Sequence, residues 1–232
     1  MAILMKPIAI IPARAGSKRI PNKNIKDFLG QPLIAYSIQA AHQSKLFEHI
    51  IVSTDSPHIA SIAKQYGAIV PFLRDQCLSD DFTPTLDVII DAIKQCSIQA
   101  NTPICCIYPT APLLQSTHLI QAYQLLESKS PSYVFIATEF SFTPLRGFIL
   151  EDQTLEMLYP EHQNIRSQDL PKIYHDGGQF YFGLARTFID QIPIFSPTSL
   201  PIIVPNHQIQ DIDTPEDFEL AKLKYQLLHH AH

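Results

Sequence analysis

Glycine is scarce in this chain, with seven residues against nineteen prolines in 232. That shortage excludes two glycine-built phosphate loops. A P-loop needs a glycine five residues before Gly16, and none is there; Ser17-Lys18 also reverses the required Lys-Ser order. A dinucleotide fingerprint fails for want of its second and third glycines. Cysteine is sparse too. Cys77, Cys96, Cys105 and Cys106 fit no metal-binding spacing, and the last two sit inside an apolar strand-like run, which reads as buried free thiols. No apolar segment approaches the roughly 20 residues that span a bilayer. The short apolar run after Lys6 reads as a first strand, not a signal peptide, so a cytoplasmic protein is expected.

What the chain does contain is ample apolar material: 46% hydrophobic residues against 17% charged ones. This length and composition suit one large α/β domain. The prolines punctuate it. Pro7, Pro12, Pro32, Pro57, Pro112 and Pro215 stand where strands should stop or helices open. No repeat, low-complexity segment or Gly/Ser linker is evident.

The most informative stretch runs from Ile8 to Lys26. The apolar run Ile8–Ile11 has no polar face and stops at Pro12, as a fully buried strand would. The small residues Ala13, Ala15, Gly16 and Ser17 follow, threaded with Arg14, Lys18, Arg19, Lys23 and Lys26. Small residues let backbone N–H groups close around a phosphate, and the basic side chains neutralise it. Asp27 is the only acid from position 14 to 27, in a protein of net charge −5. Basic charge focused on one loop of an acidic protein predicts a small anionic ligand, not a nucleic-acid surface.

Beyond that loop the pattern is strand, helix, strand. A helix is expected after Pro32, with Leu33, Ile34, Ile38 and Ala41 on one face; a strand over Ile50–Ser53; a helix from Pro57 to about Tyr66; a third strand over Ala68–Leu73. This rhythm predicts a mostly parallel sheet with helices on both faces, and ligands at the carboxyl ends of its strands. Thr83 is a candidate N-cap before a helix reaching about Ile98. Further elements are a buried strand at Ile104–Tyr108, a helix at about Ser116–Leu126 and a strand at Tyr133–Thr138. The rhythm breaks between Phe140 and Lys172, which reads as an insertion at about 140–172 in an otherwise single domain. Gly177 and Gly178 allow close backbone approach, and Gln179 and Tyr181 would share one face of the strand behind them, a plausible wall for a polyhydroxylated ligand. His175 beside that turn reads as structural. Near the end, Asp211 and Asp213 are two apart, which on a strand places both on one side. Two hard carboxylates with open positions suit Mg²⁺ bridging to phosphates, although Asp213 or Thr214 could instead cap the final helix, Pro215 to about Leu228. The tail histidines His229, His230 and His232 read as a solvated terminus.

The long ordered stretch Ile8–Lys26 resembles the signature loop of the CMP-sugar synthetases, the cytidylyltransferases of sialic acid and related nonulosonic acids. The likeness runs from Ile8 to about Leu220, and is greatest to the pseudaminic-acid branch. It implies a Rossmann-like nucleotidyltransferase fold and Mg²⁺-dependent transfer of CMP from CTP to a nine-carbon 2-keto sugar acid. It implies roles for Arg14, Lys23 and Asp211 in catalysis, and for Ala13, Ser17, Lys18 and Asn24 around the triphosphate. Arg74 resembles an arginine that approaches the nucleotide, and Thr85 a hydroxyl that contacts the sugar. Tyr108 stands where the sialic-acid enzymes carry glutamine, and Gly177-Gly178 with Gln179 where they favour Asn-Gly. Arg146 and Arg166 resemble basic insertion residues that approach the sugar acid or phosphates across a homodimer, and Gln179 and Tyr181 would flank the sugar. Asp211 and Asp213 fall on the metal-binding motif. Neither nucleic acid nor membrane is an expected partner. Sialic, legionaminic or Kdo-like acid as the acceptor, or a catalytically inactive nucleotide-binding module, stay open.

Overall fold

The computed structural model describes residues 5–230. In chain order its elements begin with β1 (Ile8–Pro12), a short hairpin of β2 (Asp27–Phe28) and β3 (Gln31–Pro32), α1 (Leu33–Ser44), β4 (His49–Ser53) and α2 (Pro57–Gln65). Then come α3 (Thr85–Gln95), β5 (Pro103–Ile107), α4 (Ser116–Lys129) and β6 (Tyr133–Glu139). The chain closes with β7 (Phe148–Glu151), β8 (Thr154–Met157), β9 (Tyr174–Leu184), α5 (Ala185–Ile189), β10 (Leu200–Ile203) and α6 (Pro215–His230). Six strands form the central sheet in the order β10-β6-β9-β5-β1-β4. All neighbours are parallel except β9, which runs antiparallel to both β5 and β6.

The apolar runs are continuous because the inner strands are covered on both faces. Ala9 and Ile11 of β1 enter one core, and Ile8 and Ile10 the other; Cys105 and Ile107 of β5 divide from Ile104 and Cys106 in the same way. Both of those cysteines are buried free thiols. Ser56 caps α2 by accepting the Ile59 amide, and Pro57 takes the first helical position. No helix among the described residues is long and apolar enough to cross a membrane.

Two expected elements differ. The third strand over Ala68–Leu73 is reduced to isolated parallel bridges, Ile51 with Ile69 and Thr54 with Leu73. Pro71 lies between them without an N–H to offer the ladder. Thr83 does not cap α3, whose N-cap is Pro84 without a side-chain bond. The Thr83 amide and hydroxyl both donate to Asp80 Oδ1 at 2.7 Å instead.

A third, smaller core joins the first loop to the C-terminal helix. Ile20, Phe28, Leu33 and Tyr36 meet Ile212, Phe218 and Ala221, with Phe28 edge-on to Tyr36 at 5.1 Å and to Phe218 at 5.5 Å. Residues 140–173 stand off the sheet, and every residue of β7 and most of β8 is exposed there.

Gly183 sits where β9 passes between its neighbours. A Cβ there would lie 2.8 Å from the Ser132 carbonyl oxygen and 3.0 Å from the Tyr133 ring. Backbone cannot yield as a flexible side chain can, so Gly183→Ala should cost about 1–3 kcal/mol. Denaturant unfolding measures this, and stability equal to the parent would refute the close packing.

Candidate active site

A cleft of about 460 Å³ opens at the carboxyl ends of β1 and β5. It is lined by Arg14, Ser17, Lys18, Arg19, Lys23 and Asn24 from the first loop, by Arg74, Thr83 and Thr85 from the approach to α3, and by Tyr108 to Thr110 after β5. Eight residues singled out from the sequence therefore meet here: Arg14, Ser17, Lys18, Lys23, Asn24, Arg74, Thr85 and Tyr108. The open end of a parallel sheet is where an α/β fold binds ligands.

The loop is held from beneath. The buried Asn24 donates its amide to the Arg14 carbonyl at 2.9 Å, and Asp55, at the end of neighbouring β4, accepts the Ala15 amide at 2.9 Å. Ala13 supports the loop from the core; it is fully buried and its amide donates to the Ser53 carbonyl. Arg74 is only 5% exposed, and its guanidinium donates to Ser79 Oγ and the Ser53 carbonyl. Burial lowers its pKa, with Asp55 opposing. Burial also pushes the Tyr108 phenol up to about 12, so it stays protonated and can donate a hydrogen bond.

Asp211 and Asp213 are not on a strand. They lie on an irregular, unpaired segment before α6, on either side of the fully buried Ile212, and neither lines the cleft itself. Lys23 Nζ donates to the Ile212 carbonyl at 2.5 Å and approaches Asp213 Oδ1 at 3.5 Å, while Arg19 pairs with the same oxygen at 2.8 Å. The capping question falls to Thr214. Its hydroxyl accepts the Asp217 amide while Asp217 Oδ2 accepts the Thr214 amide, a reciprocal box in which the Asp213 side chain takes no part. Burial raises the Asp211 pKa, with Asp213 adding to it and Lys23 opposing. The negative charge gathered at Asp211 is one that a hard cation would relieve, with Asp213 as the neighbouring oxygen donor.

Other expectations fall outside the cleft. Gln179 is buried, its amide nitrogen donating to the Gln208 carbonyl at 2.7 Å, and Tyr181 is buried with its hydroxyl donating to Asp176. Both donors point inward, and Gln179 Oε1 is buried without a partner, so neither side chain presents an open wall. Arg146 and Arg166 stay on the insertion, bonded to Ser167 and Asp169 respectively.

The chain matches the family model described as Cytidylyltransferase over residues 8–227. It belongs to that family. It is a nucleotidyltransferase, and its curated relatives match nearly all of its length. It is 44% identical to the pseudaminic acid cytidylyltransferase of Campylobacter jejuni (strain ATCC 700819 / NCTC 11168), over 98% of this chain and 99% of the relative. It is 33% identical to the CMP-N,N'-diacetyllegionaminic acid synthase of Legionella pneumophila, over 94% and 95%. Among solved structures, a CMP:2-keto-3-deoxy-manno-octonic acid synthetase complexed with CTP superposes with TM-score 0.69 at 15% identity, covering 97% of this chain and all of the other, a likeness of fold.

Sequence reasoning missed Asp81. This carboxylate folds across the cleft to pair with Arg14 Nη1 at 2.6 Å and with Lys18. Those hydrogen bonds, to Lys18 and then Arg14, hold its pKa below the usual carboxylate range. A separation of 67 residues from Arg14 left no local signal. Asp55 was more legible, since loops after adjacent parallel strands meet. Asp81 occupies the two cations that an anionic ligand would need. Asp81→Asn should therefore bind tripolyphosphate several-fold more tightly by calorimetry; unchanged affinity would show that the carboxylate does not compete.

Proposed function

We propose that the enzyme transfers CMP from CTP to pseudaminic acid, releasing pyrophosphate, with Mg²⁺ as cofactor. The observation that carries this reading is the end-to-end 44% identity with pseudaminic acid cytidylyltransferases, joined to a cationic cleft at the open end of the sheet. Arg14, Ser17, Lys18 and Lys23 hold the triphosphate and offset the charge gathering on departing pyrophosphate. Asn24 and Ala13 keep their loop in shape, and Arg74 anchors the nucleotide side. Thr85 and Tyr108 face the acceptor, where a protonated phenol replaces the amide expected of a sialic-acid enzyme. Asp211 and Asp213 would hold Mg²⁺, a hard ion suited to carboxylate oxygens. When bound, such an ion would supply polarisation of the α-phosphate and a lowered pKa of the attacking anomeric hydroxyl, so no dedicated side-chain base is assigned. CTP as co-substrate places the reaction in the cytoplasm.

The same reading takes the enzyme to be a homodimer with sites completed across the interface. Phe142, Phe148, Leu150 and Leu155 are between 55% and 90% exposed on the insertion, an apolar surface that a second copy would cover. Arg146 and Arg166 then reach the partner's cleft, and Gln179 and Tyr181 support the acceptor pocket from within.

Pyrophosphate release from CTP, assayed with and without Mg²⁺ across pseudaminic, sialic, legionaminic and Kdo acids, tests the reaction. Pseudaminic acid should give the highest kcat/KM; preference for another acid would overturn the acceptor. Arg14→Ala should lower kcat/KM about ten-fold or more, since a hydrogen bond to a charged group is worth about 1.5–3 kcal/mol. Sedimentation should show a dimer at micromolar concentration, and Leu150→Asp should shift it toward monomer with loss of turnover. A fully active monomer would refute the composite site.

A further inference from the structure

Lys224 lies on α6 and is half-buried, and among the described residues no carboxylate stands within ion-pair distance of it. Its ammonium is surrounded by neutral oxygens. It donates to the Ile209 carbonyl at 2.8 Å, to Gln210 Oε1 at 2.9 Å, and to the carbonyl and Oδ1 of Asn206 at 3.2 and 3.3 Å. Burial lowers its pKa, as expected of a cation stripped of water without an anionic partner. All four oxygens come from the turn Asn206–Gln210, which leads directly into Asp211.

The polarity of that contact has a consequence. An ammonium only donates, so Gln210 must present its oxygen to Lys224. The Gln210 amide nitrogen is thereby turned the other way, onto the Asp211 carbonyl at 2.9 Å and Asp217 Oδ1 at 3.3 Å. The other oxygen of Asp217 accepts the Asp213 amide at 3.2 Å. One cation so orders a chain of hydrogen bonds that ends on the backbone of both aspartates.

We propose that Lys224 is a positioning residue, acting through Gln210 and Asp217 to set the spacing of Asp211 and Asp213 for a divalent cation. The inference rests on the assignment of that pair as the metal site. Removing the ammonium frees the Gln210 amide to rotate and loosens the segment at both ends. A residue that merely fastened α6 would change stability and leave cation affinity alone.

The experiment measures Mn²⁺ binding by electron paramagnetic resonance, with CTP present and no sugar acid, so that nothing turns over. Lys224→Met keeps the apolar stem and removes the charge. Its Mn²⁺ dissociation constant should rise about ten-fold, the usual cost of losing a residue that orients metal ligands. In Lys224→Ala the four oxygens surround a vacated space, and ethylammonium should restore Mn²⁺ binding. Unchanged Mn²⁺ affinity in folded Lys224→Met, or weakened binding in Lys224→Ala that ethylammonium leaves uncorrected, would overturn the proposal. If Lys224→Met unfolds, Lys224→Arg serves in its place: its altered donor geometry should weaken Mn²⁺ binding several-fold, and parental affinity would overturn the proposal. Asp211→Asn separates the two readings. Weakened Mn²⁺ binding in Asp211→Asn beside parental affinity in Lys224→Met removes only the role of Lys224, whereas parental affinity in Asp211→Asn removes the metal site and this proposal together.

Discussion

Ile212 is the point at which the site is held together. Its side chain is fully buried with Ile20 and Phe28, while its carbonyl accepts the Lys23 ammonium at 2.5 Å. The first loop and the segment before the last helix are thus joined twice, by apolar packing and by a charge-assisted hydrogen bond, across 189 residues of chain. With Ile212 buried there, Asp213 beside it meets Arg19 and Lys23 of the basic loop. Loss of that packing would uncouple the basic loop from the aspartate segment beside it.

Charge balance explains the rest of the cleft. The loop gathers cations that would repel one another in the free protein, and acids from two distant places pair with them, Asp81 and Asp213, while Asp55 holds the loop backbone from beneath. The exposed pairs contribute little stability individually. Their effect is to hold long side chains near the positions a polyanion would use, which lowers the entropy lost on binding. Asp81 differs from the others because it sits where the ligand's charge must go.

Much of the fold was legible because it is written locally. Continuous apolar runs marked β1, β4, β5 and β6, proline and serine marked the start of α2, and the small-residue basic loop declared its chemistry by composition. The Ala68–Leu73 strand was misread because apolar composition cannot reveal that a neighbour's ladder goes unfilled, although Pro71 was a warning. Gln179 and Tyr181 alternate as a ligand wall should, yet alternation does not tell an open face from a covered one. The bulged pairing of β6 with β9 sets Asp176 against Tyr181, while Gln208 comes from the turn that follows β10.

The sequence by itself determined the α/β class, the basic loop and the aspartate pair, since periodicity and side-chain chemistry act over a few residues. Only the tertiary structure decided that Asp81 neutralises Arg14, that Thr214 and not Asp213 caps α6, and that Lys224 is ringed by neutral oxygens. Each of those depends on which groups meet after distant segments pack, and hydrogen bonds and ion pairs act only over the few ångströms that packing sets.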